Sequence, residues 1–230
     1  MPTPSGPRPL RGKAKPAAPR RSDLPAEVVD ELRRVARRGQ ADRALAHLGR
    51  AVELLRRGDA KGAAAEAAAA KALAPRAASV REVLGLALYG GGRFREALSE
   101  MQAYRRISGR ADQNHIIADC LRAVGRPERA VPLAEEALAA RIPVEHKAEA
   151  AIVAAAALRD QGRFEEALAL LRRVPTREDV GRDWVLRLWY VTADVLEAAG
   201  RREEAARAFR RILRHDPSAF DAAERLAQLG

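Results

Sequence analysis

The sequence predicts an all-α fold built as a tandem array of helical hairpins, and three observations carry that prediction. Glycines recur at Gly58, Gly92, Gly125, Gly162 and Gly200, separated by 34, 33, 37 and 38 residues. Five positions after each glycine a small residue returns, at Ala63, Ala97, Ala130, Ala167 and Ala205, where paired helices touch and a larger side chain would force them apart. The composition is 47% apolar but only 4% aromatic over 230 residues, so Leu and Ala must supply the core. Alanine has the best helix propensity, and β-branched or aromatic residues never alternate over a useful length, so no sheet is expected.

Residues 1–22 read as a disordered basic arm. They hold Arg8, Arg11, Lys13, Lys15, Arg20 and Arg21 with no acid, together with six of the 13 prolines. Almost no large apolar side chain is present, so burial cannot offset the entropy of ordering the segment. Folding is expected to begin at residue 23. Ser22 or Asp23 caps a helix carrying Pro25 and Glu27 in its first turn and Val28, Val29, Leu32 and Val35 at core spacing, closed near Gly39.

Five hairpins follow. The first, Ala44 to Pro75, keeps a turn and a terminal proline but places His47 and Arg50 where bulky apolar residues are usual. The second has Leu84, Gly85 and Leu88 before GGGRFREAL, and the third has Ile117, Ala118 and Leu121 before GRPERAVPLAEEAL. In the fourth, Ala154, Ala155 and Leu158 precede GRFEEALALL, and Pro175 shortens the second helix, which predicts an offset in stacking before Arg182. The fifth sets Trp189, Thr192, Ala193 and Leu196 on one stripe and Ala205, Phe209, Ile212 and Leu213 on another, ending at Pro217. A last segment places Phe220, Ala223, Leu226 and Leu229 on one stripe and reads as a closing helix.

The order Trp, small pair, Leu, Gly, Ala, Phe, apolar, Pro in the fifth hairpin resembles the tetratricopeptide repeat (TPR), whose period is about 34 residues. The resemblance spans roughly residues 25 to 230. IIADCLRAVGRPERAV and RLWYVTADVLEAAGR are similar to uncharacterised bacterial members that carry a basic, proline-rich arm. The resemblance implies a right-handed superhelical solenoid of about five helix pairs, with a leading helix and a C-terminal capping helix. It also implies a concave groove, lined by the first helix of each pair, that binds a peptide or partner protein. Members that bind chaperones grip a terminal carboxylate with Lys and Asn on successive first helices. Here the corresponding faces carry Glu82, Leu86, His115, Asp119 and Ile152, so that ligand is not expected.

One helical step from each core stripe gives the candidate groove. It comprises Ser79, Glu82 and Tyr89, then Asp112, His115, Asp119 and Arg122, then Glu149, Ile152 and Arg159, and finally Arg187, Tyr190, Asp194 and Glu197. Six acids thus stand against three arginines, although the whole chain carries a net charge of +11. Such a face favours a basic or mixed-charge ligand, for which the basic arm is an intramolecular competitor.

Catalysis finds little support. Gly90, Gly91 and Gly92 follow a helix and lack a GKS or GKT continuation, so they read as a turn and not a phosphate loop. His115 and Asp119 share a helical face but no nucleophile accompanies them. Glu165, Glu166, Glu203 and Glu204 begin helices, where negative charge complements the dipole. Trp189 and Cys120 read as core residues. The four histidines and single cysteine lack metal-ligand spacings. No enzyme activity, cofactor, metal or membrane span is expected, and the absence of a secretory run points to the cytoplasm.

The alternative reading is an RNA- or ribosome-associated accessory protein using the basic arm, because arginine-rich segments attract phosphate independently of sequence. Beyond the arm the excess falls to +5, and no aromatic residue interleaves the arm for base stacking. Clusters such as Arg33, Arg34, Arg37 and Arg38, or Arg207, Arg210, Arg211 and Arg214, have acids nearby and read as solvated helix faces.

Overall fold

A computed structural model describes residues 24–176 and 182–229. The arm, the Ser22 or Asp23 cap and residues 177–181 of the irregular connection lie outside the described residues. Among those described there are twelve α-helices and no strand. A leading helix, α1 (Ala26–Val35), precedes five antiparallel pairs. These are α2 (Ala41–Arg56) with α3 (Ala60–Leu73), α4 (Ala78–Gly90) with α5 (Phe94–Ser108), and α6 (Asn114–Ala123) with α7 (Ala130–Ala139). The series continues with α8 (Val144–Asp160) and α9 (Phe164–Arg172), then α10 (Asp183–Ala198) and α11 (Arg202–His215), and α12 (Ala222–Leu229) closes it.

The periodic glycines make one kind of turn five times. At Gly92, φ is 72°, a left-handed conformation that glycine alone enters without a Cβ penalty. Its N–H donates to the carbonyl of Tyr89 at 2.9 Å, and the next N–H, of Arg93, reaches back to Leu88 at 2.9 Å. This pair of bonds satisfies carbonyls that the helix end leaves free. The same pair recurs at Gly58, Gly125, Gly162 and Gly200. The small residues five positions on are all fully buried, at 0% exposure for Ala63, Ala97, Ala130, Ala167 and Ala205.

The second helices start in different ways. After Gly92, Gly162 and Gly200, an arginine makes a bidentate bond to a glutamate three residues on: Arg93 to Glu96, Arg163 to Glu166, and Arg201 to Glu204. In the third repeat Pro127 and Glu128 shift the acid one position early. The segment Pro127–Arg129 winds as a 3-10 turn before α7, and no such pair forms. In the first repeat Asp59 caps α3 with its own side chain, accepting the Gly62 N–H at 2.8 Å.

Two expectations require correction. The segment after Pro217 does not continue as a helix through Phe220. That residue stands before α12 with φ 53°, its ring 4.6 Å from Tyr190. The buried stripe of α12 therefore begins at Ala222, with Leu226 and Leu229 half-buried, and Ala223 is exposed. At the other end, α1 ends at Val35, short of the expected close near Gly39, because Ala36 already has extended backbone. Its Glu31 caps α4, accepting the N–H groups of Ala78 at 2.5 Å and Ser79 at 3.2 Å.

The first hairpin is held by polar as well as apolar contacts. His47 and Arg50 both meet Glu66 of α3, at 2.7 and 2.9 Å. Buried Glu100 of α5 is held by Lys71 of α3 at 2.5 Å and Arg81 of α4 at 2.6 Å, tying the first repeat to the second. Apolar packing is continuous from Ala51 to Ala222, with a smaller cluster around Leu32, Leu48 and Val80 beneath α1.

Candidate functional site: the inner face of the first helices

The candidate groove residues fall on successive first helices, except Asp112 in the connection before α6, and the structure joins most of them across repeats. Between α4 and α6, the Tyr89 hydroxyl donates to Asp119 at 2.6 Å, while Arg122 holds the other Asp119 oxygen at 2.8 and 3.0 Å. Just before α6, Gln113 donates its amide to Glu82 of α4 at 2.6 Å. From α8 to α10, Arg187 meets Glu149 and Arg159 meets Asp194. From α10 to α12, Arg225 reaches Asp194 at 2.8 Å and Glu197 at 2.6 Å, and Tyr190 donates to Asp221 at 2.6 Å.

Asp112 departs from the open-groove expectation. It is only 3% exposed, accepts the Tyr104 hydroxyl at 2.9 Å and pairs with Arg110 at 2.6 Å. His115 does not pair with Asp119. Its Nδ1 lies 3.1 Å from the Asp112 carbonyl and its ring 5.7 Å from that of His146 on α8. The Ser79 hydroxyl is buried without a partner among the described residues, and Ile152 packs half-buried against the core.

Burial sets the protonation of this face. It pushes Glu82 and Glu149 above the usual carboxylate range, and at Glu149 the Arg187 guanidinium opposes that push. It lowers His115 to about 4, aided by the neighbouring His146, so the imidazole is neutral at pH 7. Cys120, also buried, is pushed up to about 12, which keeps its thiol protonated and unreactive. Trp189 lies in the core at 6% exposure, with the Arg211 guanidinium carbon 3.9 Å from its ring centre.

Sequence reasoning missed Gln113, Tyr104, Arg110, His146, Asp221 and Arg225. A signal for several of them exists. Tyr89 to Asp119 spans 30 residues, while Gln113 to Glu82 and Tyr190 to Asp221 each span 31. Polar groups about one period apart on the inner stripe therefore bond from one repeat to the next.

Five helical hairpins between a leading and a closing helix define a helical-repeat solenoid, with polar residues of several first helices bonded from one repeat to the next. Two family models of the tetratricopeptide repeat match the chain, one over residues 48–112 and one over residues 116–217. The chain belongs to the TPR family, whose right-handed solenoids are protein-interaction scaffolds and are in general not catalytic. Solved structures agree on the fold. YrrB, described as a TPR protein with an unusual peptide-binding site, is 20% identical, with a TM-score of 0.57 over 80% of this chain and 92% of its own. MamA is 16% identical, with a TM-score of 0.60 over 79% of this chain and 94% of its own. TTC0263, a thermophilic TPR protein of Thermus thermophilus, is 18% identical, with a TM-score of 0.57 over 81% of this chain and 98% of its own. Among curated proteins none matches the sequence. No helix among the described residues is long and apolar enough to cross a membrane.

Proposed function

We propose that this chain is a non-catalytic cytoplasmic scaffold or adaptor whose inner face takes a basic or mixed-charge peptide or protein segment. In this reading residues 23–230 form the repeat domain and residues 1–22 a flexible basic arm that competes for the same face. Glu82 carries the reading. Its half-buried carboxylate has the neutral amide of Gln113 as its hydrogen-bond partner, and no ion pair forms with it among the described residues, Arg110 and His146 acting on it only from a distance. A half-buried carboxylate with no cation in contact gains from a cationic ligand. The peptide-binding site named for YrrB belongs to that protein, and it supports the class of ligand for a solenoid of this kind.

The test compares binding of a basic peptide to the intact chain and to one lacking residues 1–22 at low salt, then repeats it with Glu82→Gln and Asp119→Asn. Arm deletion is expected to strengthen binding and the two neutralising changes to weaken it. Indifference to all three removes the groove reading.

A second reading, RNA or ribosome association, draws on one observation. Arg33 and Arg34 of α1 and Arg37 and Arg38 just beyond it are exposed, and their side chains form no ion pair among the described residues. They follow the arm in sequence and continue its run of positive charge. This reading requires binding to RNA that falls steeply with added salt and is lost with residues 1–22.

A further inference from the structure

The inner face of the last repeat presents a complete receptor for one guanidinium, and the chain fills it from within. Tyr190, Asp194 and Glu197 stand at positions i, i+4 and i+7 of α10, which places them on one stripe. Arg225 of α12 lies against that stripe. Its Nη1 is 2.8 Å from Asp194 Oδ1 and 3.2 Å from the Tyr190 hydroxyl. Its Nε and Nη2 are 3.0 and 2.6 Å from Glu197 Oε2. Two aromatic rings wall the cation, with Tyr190 5.6 Å and Phe209 5.1 Å from the guanidinium carbon. Planar donors meeting two carboxylates between aromatic faces are the chemistry by which proteins select arginine over lysine.

The occupant is attached by a short and weakly anchored element. Helix α12 has eight residues, of which only Ala222 is buried. The chain enters it through Phe220, held at φ 53°, a left-handed conformation unfavourable for a residue with a Cβ. Release of α12 would relieve that backbone and free Glu197 together with the Oδ1 side of Asp194, whose Oδ2 stays paired with Arg159.

We propose that the Tyr190, Asp194 and Glu197 face is an arginine-recognition site for a partner peptide, and that Arg225 is its internal stand-in, displaced when the partner's arginine enters. The proposal rests on the groove reading above and names the side chain that the last repeat recognises. It also places the open part of the groove at the second to fourth repeats while α12 is docked.

The probe is a capped pentapeptide of alanines around one arginine, with lysine and citrulline versions as controls. Arg225→Ala is expected to bind the arginine peptide at least about tenfold more tightly than the unaltered chain does, the equivalent of one good charged contact. Lysine is expected to bind more weakly than arginine, and citrulline, which keeps the shape and lacks the charge, to lose the gain. Equal affinity of the two chains, or equal affinity for arginine and lysine, overturns the proposal. Because Arg225→Ala can loosen α12, the unaltered chain supplies a second measurement. Amide hydrogen exchange across Ala222–Leu229 is expected to quicken in excess arginine peptide and not in excess citrulline peptide, and unchanged exchange overturns the proposal. If basic-peptide binding still depends on Glu82 while Arg225→Ala changes nothing, the arginine site falls and the groove reading stands. If Arg225→Ala gains arginine binding while Glu82→Gln and Asp119→Asn do nothing, the groove reading falls at the middle repeats and the arginine site stands.

Discussion

The first hairpin and the last use the same turn and fill their cores in opposite ways. Helix α3 buries Ala63, Ala64, Ala67 and Ala70 and contributes no large side chain to the fully buried set. Helices α10 and α11 bury Val185, Leu188, Trp189, Val195, Phe209 and Ile212. Between them, α8 repeats the alanine solution with six buried alanines. The second repeat shows how tight such contacts are, since a Cβ built on Gly85 would lie 2.9 Å from Met101 side-chain carbons. One backbone repeat thus accommodates either a core of small residues or one filled by larger side chains and rings. The failure modes differ accordingly: overpacking at the small-residue contacts and cavities at the aromatic ones.

The largest expected effect sharpens that contrast at the aromatic end. Phe209→Ala, at a residue with no exposure, is expected to cost about 3–5 kcal/mol. Because each repeat of a solenoid contacts only its neighbours, hydrogen exchange is expected to rise first in α10 to α12. At the small-residue end the informative change adds atoms. Ala97→Leu is expected to cost roughly 1–3 kcal/mol by wedging α4 from α5, read as a lowered denaturant midpoint. A thermal or denaturant transition unmoved by Phe209→Ala contradicts the cavity argument, and an unmoved Ala97→Leu contradicts the close-contact one.

Much of this contrast was legible in the sequence because it is written in side-chain size at fixed positions after each glycine. Ala63, Ala97, Ala130, Ala167 and Ala205 needed no structure to be assigned to helix contacts, and the five turns followed from the glycine period. The inner face was less legible. Asp112 stands in the linker before α6, where a helical step no longer predicts which way a side chain points, and Tyr104 from the preceding second helix closes over it. The α12 stripe was misplaced by one residue because Phe220 takes a left-handed backbone that periodicity cannot register. Arg225 was missed for a related reason: a basic residue on a capping helix reads as solvated until the α10 acids are placed beneath it.

The middle of the solenoid, where α6 meets the alanine-rich α8, gives a pH test. His115 is held near 4 by burial and by His146, with Asp112 and Arg187 also acting on it and Asp119 one turn along its own helix. Its ordinary value is 6.5, so between pH 6.5 and 4 the unfolded chain binds the extra proton. Stability therefore falls as pH drops through that window. Titration of Glu82 and Glu149 acts in the opposite sense, since their folded values are raised. His115→Gln is expected to flatten the fall by up to about 1.4 kcal/mol per pH unit, measured by urea unfolding at a series of pH values. A variant with the parent's pH profile shows that His115 is not the group responsible.

The smallest expected effect concerns the turns themselves, the feature the two ends share. Three repeats carry a bidentate arginine and glutamate pair after the glycine; the pairs after Gly92 and Gly162 are exposed, and Arg201 and Glu204 after Gly200 are half-buried. The third repeat lacks the pair, because Pro127 and Glu128 displace its acid, and the first uses Asp59 instead. All five nevertheless make the same two backbone bonds around a left-handed glycine. If the pair held the turn, the third repeat would have a different turn, and it does not. Exposed pairs exchange one solvated arrangement for another and gain little. Glu166→Gln is therefore expected to leave the thermal midpoint within experimental error of the parent at both low and high salt. Gly162→Ala, in contrast, is expected to lower it, because a Cβ there meets no neighbouring atom within 4 Å but must adopt φ 74°. A salt-sensitive loss in Glu166→Gln that matches the loss in Gly162→Ala would assign the turn to the charge pair and overturn the assignment to backbone conformation.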